Sequence, residues 1–436
     1  MTKTVCVIGA GSSGLAALKN LRQAGFDAVV YEQHDEVGGN WCFGGPGSRV
    51  YASTHTISSK PFTQYPDFPM PDEWPDYPHH SQLREYFQRY AEHFRLLDHV
   101  HFGHEVAGAE PEGDGWAVTV RGEQPKHFDA LVVANGHNWH PKMPEYPGLA
   151  EFPGRVLHSA EYKGPDVLRG QRVLVVGAGN TGCDIAVEAA QHADSVWHST
   201  RRGYWYVPKY ILGKPSDQIA DALIGLRMPK PLRRMLTKLT LLTTVGLPQR
   251  AGLPRPDHAL FETHPIVNSL LTYYVGHGDI KPVPDVERFE GSTVVLTDGQ
   301  RAEVDLVVLA TGYLLRVPFL DPALLAWDGD ANTKPKLYQH VFSPVHETLF
   351  VAGLIQPDSG QFTLTHWQTK AIASYLRARD RAPARAAAFR RTVAERADRR
   401  WTGGQDYVKS TRHHFEVAHQ DYLRGLQRTV DTLGAA

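Results

Sequence analysis

Two sets of glycines in this chain have the spacing to hold phosphate, and each is followed by side chains of a different charge. Gly9, Gly11 and Gly14 form a G-x-G-x-x-G pattern, and Glu32 stands eighteen residues after the last of them. Gly177, Gly179 and Gly182 repeat the pattern, and Ser199-Thr200-Arg201-Arg202 stands where the first copy has its acid. Such glycines allow a tight turn, a close approach of backbone to a pyrophosphate, and tight packing of the next helix on the strand. The phosphates then lie at a helix N-terminus, where free N–H groups and the dipole favour negative charge. A carboxylate at Glu32 suits ribose hydroxyls. Hydroxyls and guanidiniums suit a 2′-phosphate, which Arg grips through two parallel hydrogen bonds. The first site reads as one for FAD and the second as one for NADPH. Ser13 and Gln33 are counted with the first site, Asn180 and Thr181 with the second.

Both patterns need a strand before and a helix after, and both have them. Val5–Ile8 and Arg172–Val176 are apolar runs of the kind a buried parallel strand shows, and helix-like runs follow at Leu15–Leu21 and Cys183–Ala190. Further buried strands are expected at Phe128–Ala134, Asp305–Ala310 and Leu349–Ile355. The ends of two of them, Thr311-Gly312 and Gln356, offer small or polar residues where a nucleotide can cross. Gly38-Gly39-Asn40-Trp41 suits a backbone lying along a flat ligand under an aromatic cover, and it equally suits a turn beside a core Trp. Its place after Glu32 favours flavin as the first ligand.

The formal net charge of −1 gives no reason to expect nucleic acid. Cys6, Cys42 and Cys183 have neither metal nor redox spacing, so no metal site is expected and a cytoplasmic, reducing setting fits. No apolar run is long enough to span a membrane. The Pro-rich stretch from Tyr51 to Pro78 is expected to lack regular structure, and long loops of this kind are usually functional. Ser81 is the expected cap of a helix reaching Leu97. Residues 208–253 read as a helical insertion with Lys230, Arg233, Arg234 and Lys238 on a solvated face, or else as a lid or membrane-surface helix. Phe289–Leu296 reads as part of a hairpin, and the tail from Pro383 as surface helices.

Between the two glycine patterns, Phe152 to Tyr162 spells F-x-G-x-x-x-H-x-x-x-Y. By composition alone, His158 reads as a satisfied structural histidine. With both glycine patterns, Gly38-Gly39-x-Trp41, Asp67-Phe68-Pro69-Met70-Pro71, Ala310-Thr311-Gly312 and Gly353-Leu354-Ile355-Gln356-Pro357, this signature resembles the flavin-containing monooxygenases, the class B flavoprotein monooxygenases. The resemblance implies an NADPH- and O2-dependent enzyme that inserts one oxygen atom into an amine nitrogen or a sulfide through a C4a-hydroperoxyflavin. It implies two doubly wound, Rossmann-like, three-layer α/β domains with the active site in the cleft between them. The FAD domain would be split into 1–162 and 309–436, with the NADPH domain, 163–308, inserted in it. The partners implied are O2 and a small nucleophilic molecule; a homodimer is one assembly the sequence allows. Related Baeyer–Villiger enzymes typically end the signature in Trp, so Tyr162 favours oxygenation of a heteroatom. His158 and Tyr162 are expected to shape the junction between domains rather than to move protons.

One departure from the family bears on chemistry. Where many members carry an Asn-Ser-Ser-Lys pattern, this chain has Ile57-Ser58-Ser59-Lys60. Isoleucine neither donates nor accepts a hydrogen bond. Ser58 is the expected substitute donor, with the hydroxyl of Thr56 as the other choice. Three rival readings remain. A Baeyer–Villiger or indole-type oxygenase would use the same cofactors. A flavin disulfide reductase would need a C-x-x-C pair, which is missing. A non-catalytic redox sensor would retain both glycine patterns.

Overall fold

The computed structural model describes residues 2–225, 228–264 and 266–434, apart from the side chain of Lys230. The chain forms two compact units: Met1–Ser48 with Ser58–Trp139 and Leu315–Ala436, and Arg49–Ile57 with His140–Leu314.

The first unit is built on a five-stranded parallel sheet in the order Leu349–Val351, Ala130–Val133, Thr4–Ile8, Asp27–Tyr31, Val100–His101. Side chains alternate across a strand, so every strand feeds two cores. Val5, Val7, Val30, Val132 and Phe350 pack under helices Ser12–Gln23, His80–His93, Phe362–Arg381 and His419–Gly434. Cys6, Ile8, Leu131, Val133 and Leu349 pack on a three-stranded antiparallel sheet, Val106–Glu112, Gly115–Val120 and Lys126–Phe128, through Trp116, Val118 and Phe128. Each fully buried large apolar side chain is worth about 1.5–3 kcal/mol over its exposed state. This double burial explains why the strands read as unbroken apolar runs.

The second unit repeats the plan. Its parallel sheet runs Ile280–Val283, Ser195–Ser199, Arg172–Val176, Leu306–Leu309, Arg155–His158. Val173, Val175, Leu306 and Val308 face helices Asn180–His192 and Leu271–His277. Leu174, Val176, Val307 and Leu309 face the antiparallel strands Val286–Glu290, Thr293–Leu296 and Arg301–Glu303. In each unit the third layer is a small antiparallel sheet. In each, the strand before the glycine turn lies between its two successors, so the chain leaves it in opposite directions. That is the switch point at whose carboxyl end nucleotides bind.

Several local expectations change. The boundaries expected at 162/163 and 308/309 fall inside the second unit, because Arg155–His158 pairs with Leu306–Leu309. His79, not Ser81, caps helix His80–His93: its Nδ1 accepts from Ser81 N at 3.3 Å, and its own N–H donates to Gln82 Oε1 at 3.0 Å. The Pro-rich stretch contains one short helix, Lys60–Thr63. Its loop is closed by Lys60, whose Nζ donates to the carbonyls of Pro71, Asp72 and Trp74 at 2.9, 2.9 and 3.0 Å. The expected hairpin gains a third strand. The last helix, His419–Gly434, is not a surface element throughout: Tyr422 and Leu426 are fully buried. Residues 208–253 hold helices Ser216–Gly225 and Lys230–Thr244, as the sequence suggests.

Candidate cofactor sites

The two glycine turns are built alike. Gly9 has φ +101° and Gly177 φ +116°, values that strain any side chain. A Cβ on Gly9 would sit 2.7 Å from Ala134 O, and one on Gly177 would sit 2.4 Å from Ala310 O. Gly14 and Gly182 let the helix close on the turn: a Cβ there would lie 1.8 Å from Gly9 O and 2.0 Å from Gly177 O. The middle glycines differ in kind. A Cβ on Gly11 would meet only Gly39 Cα at 3.8 Å, and one on Gly179 would meet nothing within 4 Å. Protein packing does not require glycine at these two positions, and the open space over them suits a pyrophosphate. Each caps a helix, Ser12–Gln23 or Asn180–His192, that has neither a side-chain cap nor an acid in its first turn. Both helix N-termini therefore present N–H groups without a carboxylate competing for them.

Glu32 is buried and held by backbone. Its Oε2 accepts from Ala10 N at 2.6 Å and its Oε1 from His34 N at 3.0 Å. A carboxylate has about four acceptor positions, so capacity remains for ribose hydroxyls. Gln33 is exposed and its amide contacts His34 Nε2 at 3.1 Å. Gly39 stacks on the turn, where a Cβ on it would lie 3.1 Å from Gly11 Cα. Asn40 is exposed, and Trp41 packs half-buried against the helical core of the first unit. Ser13 is buried beside Gly353, and a Cβ on Gly353 would meet its Oγ at 2.0 Å. Gln356 is half-buried on a short strand, where its N–H donates to Phe415 O at 2.7 Å.

In the second unit, Thr200 takes the place of Glu32. Its Oγ1 is buried without a hydrogen-bond partner. Arg201 is exposed and forms no ion pair among the described residues. Arg202 is held instead: its Nη2 and Nε lie 2.7 and 3.1 Å from Asp257 Oδ1, which also takes His258 Nδ1 at 2.7 Å. Asp257 gave no signal in the sequence. Asn180 spends its Oδ1 on Val267 N at 2.8 Å, and Thr181 beside it is half-buried. Thr311 donates its hydroxyl to Lys142 O at 2.5 Å. An orphaned hydroxyl, an unpaired guanidinium and an open helix terminus together fit a phosphorylated ribose.

His158 is buried, with both ring nitrogens in use. Nε2–H donates to Gly312 O at 3.1 Å, and Nδ1 accepts from Ala160 N at 3.1 Å. Burial lowers its pKa, so the neutral ring is favoured. Tyr162 is fully buried and its hydroxyl donates to Glu188; burial, then that carboxylate, raise its pKa strongly. Its ring meets Tyr51 edge-on at 5.7 Å, and Tyr51 OH donates to Asp184 Oδ2 at 2.8 Å. Burial raises the pKa of Asp184. Lys209 Nζ donates to Thr56 O at 3.2 Å, so Arg49–Ile57 is tied to the second unit at both ends of its length.

The three residues expected near the departure from the family differ. Ile57 is 38% exposed. Ser58 Oγ lies 2.8 Å from Thr63 Oγ1, whose own hydrogen is directed to the carbonyls of Ser58 and Ser59 at 3.0 Å; Ser58 is then the donor to Thr63. Thr56 Oγ1 is buried without a partner.

Two glycine turns on two parallel sheets, one followed by a carboxylate and the other by a guanidinium, fit a protein of the two-dinucleotide class. The family model described as flavin-binding monooxygenase-like matches residues 2–435, and the chain belongs to that family. It is a flavoprotein monooxygenase, and its cofactors are FAD and NADPH. The chain is 32% identical over 463 residues to flavin-containing monooxygenase 5 of Oryctolagus cuniculus, covering 99% of this chain and 83% of that protein. In fold it is similar to S-allyl-L-cysteine S-oxygenase from Allium sativum, with TM-score 0.66 and 21% identity over 99% and 89% of the two chains. It is also similar to cyclohexanone monooxygenase with ε-caprolactone bound, with TM-score 0.72 and 19% identity over 99% and 97%.

Proposed function

We propose that this chain consumes NADPH and O2 to insert one oxygen atom into a small nucleophile, an amine nitrogen or a sulfide. The observation that carries the reading is the pair of turns, alike in backbone and opposite in charge at the strand end. FAD is assigned to the turn at Gly9, Gly11 and Gly14 with Glu32, and NADPH to the turn at Gly177, Gly179 and Gly182 with Thr200 and Arg201. Bound FAD supplies a hydride acceptor and the place where O2 is activated. The protein's own part is to hold each pyrophosphate at a helix N-terminus and each ribose at a strand end.

His158 and Tyr162 act as positioning residues in this reading. The neutral imidazole fixes Gly312 O and Ala160 N, and the phenol satisfies Glu188. Neither keeps a proton free for transfer. Of the hydroxyls beside Ile57, Thr56 is the available donor, since Ser58 is committed to Thr63.

One structural neighbour is an S-oxygenase, and another is a cyclohexanone monooxygenase. Tyr162 supports the heteroatom branch by its place at the end of the signature, where it is fully buried and its hydroxyl donates to Glu188. The test is mass spectrometry of products from an amine, a sulfide and a ketone under 18O2. Label in the amine oxide or sulfoxide is expected. Label in an ester alone would move the chain to Baeyer–Villiger chemistry. A yellow protein that consumed no NADPH in air with any of them would leave only the sensor reading.

A further inference from the structure

In the first unit, strand Leu349–Val351 leads into a turn, residues 353–358, that lies against the helix of the first glycine turn. Gly353 has φ +85°, and a Cβ on it would meet Ser13 Oγ at 2.0 Å. Both polar groups of its backbone are held by side-chain amides from the start of helix Phe362–Arg381 and the residue before it. Its N–H donates to Gln368 Oε1 at 2.9 Å, and its carbonyl accepts from Gln361 Nε2 at 3.0 Å. Gln368 is fully buried and spends its other end on the last helix, where its Nε2 donates to Tyr422 OH at 2.7 Å. Tyr422 donates its own hydrogen to Gln339 O. Gln339 and His340 are both buried and both left-handed, at φ +55° and +52°. Two such residues in succession are uncommon without glycine and persist only where their surroundings hold them.

The same C-terminal segment grips the other end of the turn. Gln356 N donates to Phe415 O at 2.7 Å, Gln356–Pro357 pairs in parallel with Glu416–Val417, and Asp358 Oδ1 accepts from His419 N at 2.8 Å. A turn that touches the helix of the first glycine pattern is thus fixed at both ends by residues far along the chain. Burial alone does not call for the Gln368–Tyr422 pairing: Tyr375, on the same helix as Gln368 and equally buried, leaves its hydroxyl without a partner. We infer that residues 415–434 seat the 353–358 turn for FAD, with Gln368 and Tyr422 as positioning residues. The inference rests on the assignment of FAD to the turn at Gly9, Gly11 and Gly14. Linkage makes such a coupling reciprocal, so bound FAD also steadies the last helix.

Flavin fluorescence on dilution of the FAD-loaded full chain measures the dissociation constant, and hydrogen exchange with and without FAD follows the last helix. Gln368→Met should weaken FAD by roughly tenfold and Tyr422→Phe by about fivefold. The double variant should weaken FAD no further than Gln368→Met alone, because Tyr422 acts through Gln368; independent losses would multiply to about fiftyfold. Amides of helix His419–Gly434 should exchange more slowly when FAD is bound to the parent, and this slowing should vanish in Gln368→Met and shrink in Tyr422→Phe. Two controls stand beside these. Tyr375→Phe should match the parent in both measurements. Leu426→Ala, a fully buried position one turn along the last helix, should lower the melting temperature without weakening FAD. Should Gln368→Met fail to fold, Tyr422→Phe and the exchange measurement decide. Parental FAD affinity in Gln368→Met and Tyr422→Phe would overturn the inference, as would a multiplied loss in the double variant, an equal loss of FAD from Leu426→Ala, or exchange of the last helix that ignores FAD. Gly11→Ala tells this failure from that of the site itself. If it alone loses FAD, the site stands and the seating falls; if it also keeps FAD, the assignment falls and the inference with it.

Discussion

Replacing Arg201 with Ala should turn the second site from one that prefers NADPH into one nearly indifferent to the 2′-phosphate. Arg201 is exposed and pairs with no carboxylate among the described residues, so its whole donor set is available to a ligand. A hydrogen bond from a charged group is worth about 1.5–3 kcal/mol, which is roughly 10- to 150-fold in Kd. Exposure puts the expectation at the lower end. Arg202 gives the contrast, because its Nε and Nη2 are already on Asp257. Arg202→Ala breaks a partly exposed ion pair worth about 0–1 kcal/mol, so it should move NADPH affinity by no more than about fivefold. Thr200→Val removes a buried hydroxyl that has no partner in the protein. It should leave the melting temperature unchanged and weaken NADPH by about fivefold, the worth of about one hydrogen bond. Anaerobic fluorescence titration of the FAD-loaded protein with NADPH and NADH measures all three, and salt should weaken NADPH more than NADH. An Arg201→Ala protein with the parental NADPH/NADH ratio would refute the reasoning. So would a larger loss from Arg202→Ala.

The glycines of the first turn should separate binding from folding. Gly11→Ala should fold with normal helix content and lose FAD, whereas Gly14→Ala, whose Cβ would lie 1.8 Å from Gly9 O, should lose several kcal/mol of stability or fail to fold; equal melting temperatures for the two would contradict this. Burial pushes the pKa of His340 down to about 3 and that of His366 to about 4, below the 6.5 of an unfolded chain. The neutral rings therefore stabilise the fold fully above pH 6.5, and that stability is lost as pH falls through 6.5 toward 4, by a few kcal/mol in all; a melting temperature that stayed flat across this window would count against it. On the proposed function, Thr56→Val should raise the H2O2 released per NADPH consumed and Ser58→Ala should not, as a peroxidase-coupled assay can measure. The reverse order would return the donor role to Ser58.

What the sequence disclosed and what it hid follow from range. The strand, turn and helix around Gly9 and Gly177 are local, and the requirement for glycine is written in adjacent residues. Double burial makes the strands Thr4–Ile8, Ala130–Val133 and Leu306–Leu309 unbroken apolar runs that stand out in the sequence. Long-range pairing is invisible in composition. Arg155–His158 belongs to the second sheet only because Leu306–Leu309, far along the chain, lies beside it. The same holds for side chains. That Arg201 rather than Arg202 is unpaired depends on Asp257, and that Ser58 is engaged depends on Thr63. The cap at His79 is hard to read in a sequence because a ring nitrogen takes the part usually played by an oxygen.

On the proposed assignment, the two turns also explain how one kind of site would take two cofactors. Gly9 N donates to Tyr31 O at 2.8 Å and Gly177 N to Ser199 O at 3.0 Å; Ala134 N donates to Ile8 O at 2.9 Å and Ala310 N to Val176 O at 2.8 Å. The frames are the same, so the difference lies in what braces the turn. In the first unit Glu32 does so through Ala10 N, and the residue that would choose the ribose is also part of the fold. In the second unit the brace comes from inside the strand: His198, fully buried and favoured neutral by that burial, donates Nε2–H to Gly177 O at 2.9 Å. The strand end is thereby relieved of structural duty. Thr200 keeps an unspent hydroxyl and Arg201 an unspent charge, the two groups a 2′-phosphate requires. A bracing carboxylate at this position would repel that phosphate, so on the proposed assignment moving the brace into the strand leaves the second turn free to discriminate for it.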